Sequence, residues 1–201
     1  SEMCIRDRPR PYLWLPSSSI GVIWREMMRA WETNARRVWV VNVGDIKPLE
    51  MGTEFFLDLA WDIHRWNESN MDEFYPHIVR RDIDADLADE IAVLLEVYYI
   101  LNYQRRPSFM GFNRGWYGLP VQDPEFSLYN YGDECQQRVD AFDRLAKKAR
   151  ELGTKIPAYH RDAYYQLVLY PIIGAAELNK KFLYAYKSSV CLLYTSPSPR
   201  D

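Results

Sequence analysis

Apolar residues at Ile20, Ile23, Trp24, Met27, Met28 and Trp31 recur every three or four positions, behind a Ser17–Ser19 run whose hydroxyls suit an N-cap. That spacing predicts an amphipathic helix with a single apolar stripe. The pattern then changes. Val38–Val43 is β-branched and aromatic except for Asn42, and the run stops abruptly at Gly44, Asp45, Lys47 and Pro48. Such a stretch predicts a parallel strand buried on both faces. Functional groups in α/β barrels stand at the C-terminal ends of strands, so Asn42, Asp45, Lys47 and Glu50 become the first site candidates.

Beyond Pro48 helical spacing returns, with Phe55, Phe56, Leu59, Ile63 and Trp66 on the side expected to be buried. Helix, strand, loop and helix in that order belong to a parallel α/β sheet or barrel. One strand cannot complete a sheet, so only the tail of such a domain is expected. From Asn70 onward the pattern is helical throughout. Asn70 with Glu73 reads as a capping box for a short helix ending near Arg81, and Asp84 or Asp86 can start the next. Leu87, Ile91, Leu94, Leu95, Tyr98, Tyr99 and Leu101 give that helix a broad apolar face suited to a bundle. Arg105–Pro124, rich in Arg, Gly, Pro and aromatics, predicts a long loop. Val139, Phe142, Leu145, Ala149 and Leu152 mark another helix, closed by Gly153 and Pro157. A last helical run, Tyr164–Tyr186, contains Pro171, which should kink or split it.

The two ends carry a different signal. Back-translated, Cys191–Asp201 has a reverse complement that reads, in another frame, as Ser1–Asp7. One DNA sequence flanking an insert in opposite orientations accounts for both, and it resembles a transposon adapter from sequencing-library preparation. Residues 1–8 and 191–201 are therefore taken as adapter-derived scars, and the natural segment as running from about Pro9 to Val190. Its ends are then sequencing ends, which removes any meaning from a missing signal peptide.

Composition narrows the chemistry. A net charge of −3 with no basic stripe disfavours nucleic acid as a partner. No apolar run approaches the roughly 20 residues of a membrane-spanning helix, so no membrane partner is expected. Of three cysteines, Cys4 and Cys191 lie in the scars, and Cys135 has no electropositive neighbour to make it a nucleophile. His64, His77 and His160 lack metal-ligand spacing and are expected to be structural; neither metal nor cofactor is expected.

Five segments in order carry a family resemblance: P-R-P-Y-L-W at Pro9–Trp14, W-V-V-N-V-G-D-I-K-P-L-E at Trp39–Glu50, F-F-L-D-L-A-W at Phe55–Trp61, Y-Q-R-R-P at Tyr103–Pro107 and L-V-L-Y-P at Leu167–Pro171. Together they resemble glycoside hydrolase family 115, the xylan α-1,2-glucuronidases, with N-V-G-D-I-K-P the most specific part. The resemblance implies a secreted or periplasmic multidomain enzyme: an N-terminal α/β domain, a catalytic barrel, a helical domain and a C-terminal β-sandwich, usually dimeric. The chain is then a mainly α fragment, with the last α/β units of a TIM-type (β/α)8 barrel over residues 9–83 and a helical-bundle domain over 84–190.

The implied reaction removes glucuronic acid or its 4-O-methyl ether from glucuronoxylan or its oligosaccharides, with inversion. Inversion needs an acid and a base carboxyl roughly 6.5 to 9.5 Å apart. The resemblance places both on earlier strands, which leaves no catalytic residue in this chain and implies that it is inactive alone. It makes Asn42 an active-site amide, a role that suits a group able both to donate and to accept; the bland alternative is an Asn bonding backbone at the rim. Lys47 either pairs with the uronate or neutralises Asp45 or Glu50. Glu50 suits the start of the following helix, where a negative charge is favourable. Tyr12 and Trp14 are candidates for a sugar platform, with core packing the competing role for Trp14. One departure stands out: Met51-Gly52 replaces the proline that tends to follow P-L-E in the family.

Two other readings remain, a helical interaction module and a barrel hydrolase for another acidic sugar. A chain lacking most of a barrel should leave the stripe of Ile23, Trp24 and Trp31, and the strand itself, without partners and prone to aggregation.

Overall fold

The computed structural model describes residues 14–43, 46–110 and 124–195. Among them the fold is helical and contains no strand. The first helix, α1 (Ile20–Glu32), starts where the serines predict: the Ser19 hydroxyl accepts from Val22 N at 3.4 Å. It ends at Thr33, whose hydroxyl donates back to the Arg29 carbonyl at 2.9 Å, and at Asn34, which turns the chain at φ 69°. The α1 stripe does not lack partners. Ile23 is only 8% exposed, Trp24 donates its indole N–H to the Trp66 carbonyl at 3.0 Å, and Trp31 meets His64 edge-on at 6.4 Å. The expectation of an orphaned stripe fails because α2 (Glu50–Trp61) and the loop behind it fold back over α1 within the same chain.

The predicted strand is an extended segment without a ladder. Strand pairing requires a neighbour offering its own N–H and C=O edge, and the described residues supply none. Local geometry still follows the pattern, because alternate side chains of an extended chain point to opposite sides. Trp39, Val41 and Val43 are half-buried while Val38, Val40 and Asn42 are exposed, Val38 at 74% and Val40 at 69%. The buried side lies on α2, with Trp39 and Phe56 ring centroids 6.1 Å apart. One face is covered, not two.

Met51, Phe55, Phe56 and Leu59 form the buried side of α2. Ile63 and Trp66 are buried as predicted but lie beyond its end, where the Trp66 indole donates to Asp58 Oδ2 at 2.9 Å. Asn70 does not cap the next helix. Its Oδ1 accepts from Asn67 N at 2.8 Å and its amide donates to the Arg65 carbonyl at 3.0 Å, so a local turn claims the side chain. A single 3₁₀ turn (Met71–Glu73) then leads into α3 (Phe74–Asp82). Asp84 Oδ1 accepts from Asp86 N and Leu87 N at 2.9 and 3.0 Å, turning the chain into α4 (Ala88–Gln104). At its centre the Tyr98 hydroxyl donates to the Pro16 carbonyl at 2.7 Å, which fixes the segment ahead of α1.

Of the predicted loop, residues 111–123 lie outside the described residues. Helix α5 (Glu134–Gly153) buries all five positions of its predicted stripe, and Asp133 caps it by accepting from Gln136 N at 3.0 Å. The final run is α6 (Arg161–Tyr164), a π-helical turn (Tyr165–Leu169) and α7 (Tyr170–Thr195), which passes Val190 into residues 191–195. Pro171 neither breaks nor splits the run. A proline lacks the N–H that would reach back four residues, and the wider register, with Tyr170 N–H bonded to the Tyr165 carbonyl, absorbs the misfit just before it. Gly174 of α7 receives the N-terminal segment: a Cβ there would stand 3.0 Å from Leu15 Cδ2 and 3.1 Å from the Trp14 ring. A single buried cluster runs from Leu15 to Ala176, and a smaller one gathers Met110, Cys135, Val139 and Leu183.

Candidate functional site

Asn42 stands at the end of the extended segment and lines a small cleft of about 120 Å³. The opposite walls come from elements distant in sequence: Ser17 and Ser18 ahead of α1, Thr53 in α2 and Tyr99 in α4. The Thr53 hydroxyl donates to the Leu49 carbonyl at 2.8 Å, which orients its lone pairs. Tyr99 is stacked on Tyr75, with centroids 5.5 Å apart and 9° between planes. Burial first, and the Glu50 charge second, push its phenol above the ordinary range, so it stays protonated as a donor. The cleft can therefore present an amide, hydroxyls and a phenol to a polyhydroxylated ligand.

Lys47 is placed elsewhere. It lines a separate cleft of about 360 Å³ with Glu50, Glu54, Asp82 and Asp162. Arg81 bridges two of these carboxylates, donating to Asp82 at 2.6 Å and to Glu54 at 2.8 Å, and Asp82 and then Glu54 raise its pKa. Surroundings this acidic suit neutralisation of Lys47 better than capture of a uronate. Glu50 is the first residue of α2, as expected, and its Oε2 is buried without a hydrogen-bond partner at that positive helix end. Asp45 and Tyr12 lie outside the described residues. Trp14 is half-exposed and meets Tyr170 edge-on at 6.3 Å, packing against α7.

The sequence reading missed Ser17, Thr53 and Tyr99 as walls of the Asn42 cleft. Tyr99 carried no signal of its own, because Tyr98 stands beside it on the same apolar face. Cys135 is buried with Sγ 3.6 Å from the Phe126 carbonyl, and burial pushes its thiol up to about 11, which keeps it protonated and unreactive. Among the described residues no group of three or more His, Cys, Asp or Glu is placed to hold a metal ion.

The profile of glycosyl hydrolase family 115 matches residues 3–109, more than half of the chain, and the chain belongs to that family. The matched span includes residues 3–8, within the segment taken as adapter-derived. A solved structure described as a family GH115 4-O-methyl-α-glucuronidase with specificity for decorated arabinogalactans is similar to the chain at 30% identity, with a TM-score of 0.82. The likeness covers 92% of this chain and 25% of that one, so the chain spans a quarter of the length of that solved protein. No curated protein matches the chain.

Proposed function

We propose that the chain is part of an α-glucuronidase that hydrolyses (4-O-methyl)glucuronic acid side chains from glucuronoxylan with inversion, with Asn42 contributing one wall of the substrate pocket. The family membership carries this reading, and the placement of Asn42 among hydroxyl and phenol groups supports it. Complete small-molecule pockets are usually about 300–1,000 Å³. A cleft of about 120 Å³ fits one side of such a site, with the acid and base carboxylates supplied by earlier strands. In this reading residues 9–83 close a (β/α)8 barrel, whose preceding strand pairs with Val38–Val43, and residues 84–190 form the helical domain. The whole enzyme is secreted or periplasmic and homodimeric. Asp45 and Tyr12 complete the rim, and Lys47 balances charge in the neighbouring loop.

A second substrate reading is favoured by one observation. The solved relative is described as specific for decorated arabinogalactans, so the same uronate leaving from a galactan backbone is the competing substrate. Release of 4-O-methylglucuronic acid by the longer protein, assayed on glucuronoxylan and on arabinogalactan side by side, decides between them. An Asn42→Ala variant with unchanged turnover and binding would remove Asn42 from the site.

A further inference from the structure

The loop between α2 and α3 holds Asn67-Glu68-Ser69, an asparagine two residues before a serine with no proline between them. Asn67 is alone among the asparagines of the sequence in that spacing. An asparagine so placed is the acceptor of N-linked sugars in exported proteins, provided that it lies on the surface. All three residues are exposed. The fold also sets the two side chains against each other: Ser69 N donates to Asn67 Oδ1 at 2.9 Å, and Ser69 Oγ donates to the same oxygen at 2.6 Å. The backbone beneath is pinned, because Asn70 Oδ1 accepts from Asn67 N at 2.8 Å and the Asn67 carbonyl accepts from Met71 N at 3.0 Å. These contacts are local, so the turn can form as soon as the loop emerges.

Two donors on Oδ1 fix the amide by its oxygen and leave Nδ2 as the open end, without a hydrogen bond among the described residues. We propose that Asn67 is a site of N-linked glycosylation, its co-substrate an oligosaccharide carried on a lipid pyrophosphate. Nδ2 attacks C1 of the sugar next to the pyrophosphate. The N–C1 bond forms and the bond from C1 to the pyrophosphate oxygen breaks; the lipid pyrophosphate leaves with that electron pair, and one Nδ2 proton passes to a base of the transferase. Nothing is oxidised or reduced. The product is still an amide with the same carbonyl oxygen, so both bonds from Ser69 persist. No buried group is displaced: the neighbouring Trp66, only 8% exposed, keeps its bond to Asp58. The proposal rests on the secreted part of the reading above and is independent of the glucuronidase chemistry.

Export of the longer protein through a eukaryotic secretory pathway, followed by peptide N-glycosidase in heavy-oxygen water and peptide mass mapping, tests the proposal. The peptide spanning Asn67 should carry the heavy-oxygen aspartate that marks a removed glycan. Asn67→Gln and Ser69→Ala should each abolish the mark. Ser69→Thr should retain it, since its hydroxyl can make the same bond. An unmodified Asn67 in the exported protein, or a mark that survives Ser69→Ala, overturns the proposal. Uronate release by a protein bare at Asn67 removes the glycan and leaves the glucuronidase reading standing. A glycan at Asn67 without uronate release from either polysaccharide does the reverse.

Discussion

Arg138 Nε donates to Asn179 Oδ1 at 2.7 Å, joining α5 to α7 through two polar side chains that are both buried. The rest of the guanidinium reaches the end of α4, donating to the Leu101 carbonyl at 3.0 Å and the Arg105 carbonyl at 2.8 Å. Phe126 and Phe142 lie 5.0 and 5.1 Å from its carbon, covering it with ring faces. Burial, then the Arg105 charge, pushes its pKa down to about 10, so it remains a cation at neutral pH. Three helices thus share one planar donor. Arg138→Met should cost about 3 kcal/mol by stranding the buried Asn179 amide and removing the guanidinium donors from two half-buried carbonyls. Arg138→Lys should cost nearly as much, because an ammonium lacks the fork. The urea midpoint at constant slope measures both.

Phe74 is fully buried, with Phe55 at 4.9 Å, Trp66 at 5.5 Å and Tyr75 at 5.7 Å between ring centroids. It ties α2, the loop after it and α3 together. Phe74→Ala should destabilise by about 3–5 kcal/mol. Thermal unfolding gives the loss, and near-ultraviolet circular dichroism should show a weakened aromatic signal in the folded variant.

Lys187 Nζ bonds Asp133 Oδ2 and Gln136 Oε1, both at 2.8 Å, tying the start of α5 to α7. The Lys187 hydrogen bond, the largest influence, lowers the Asp133 pKa in the folded chain. A depressed carboxylate contributes stability that is complete above its unfolded value and is lost as pH falls through the folded one. The contribution should therefore fade below about pH 4. Lys187→Ala and Asp133→Asn should each flatten that part of the stability profile, read from urea midpoints between acid and neutral pH.

Val38 and Val40 of the extended segment are exposed, as are Leu57 and the 90%-exposed Trp61 of α2. Exposed apolar side chains of this kind favour self-association. Val40→Thr with Trp61→Gln should lower light scattering at high concentration while leaving stability within about 0.5 kcal/mol. Undiminished scattering would locate the sticky surface elsewhere.

Helices with one clear stripe were legible because their periodicity and their burial coincide; α1 and α5 follow the apolar spacing almost residue by residue. The Val38–Val43 run was half legible. Its composition dictates extended backbone, but pairing depends on neighbours that local pattern does not encode, and none is present among the described residues. Asn70 was misjudged because two nearby backbone groups, at Asn67 and Arg65, compete successfully for a side chain able to cap. The place of Asn42 on the wall of a cleft agrees with its position at the end of an apolar run. Ser17, Thr53 and Tyr99 could not be found from the sequence, since tertiary folding alone brings them to it. Arg138 did leave a trace: it interrupts the stripe of Cys135, Val139 and Phe142 with a charge that must be buried if the helix packs as the stripe demands.

Gly174 gives this chain a timetable. The seat for Leu15 and Trp14 is on α7, almost at the opposite end of the sequence, while the contacts among α1, α2, α3 and α4 involve residues synthesised close together. During synthesis Trp14 and Leu15 emerge well before α7: the Tyr98 hydroxyl can hold Pro16 once α4 is out, but the groove at Gly174 does not yet exist. Closure of that large loop comes last, because contacts of high sequence separation form slowly. A nascent chain arrested before α7 should therefore expose the residues around Trp14 to proteases, and the same bonds should become resistant once α7 has left the ribosome.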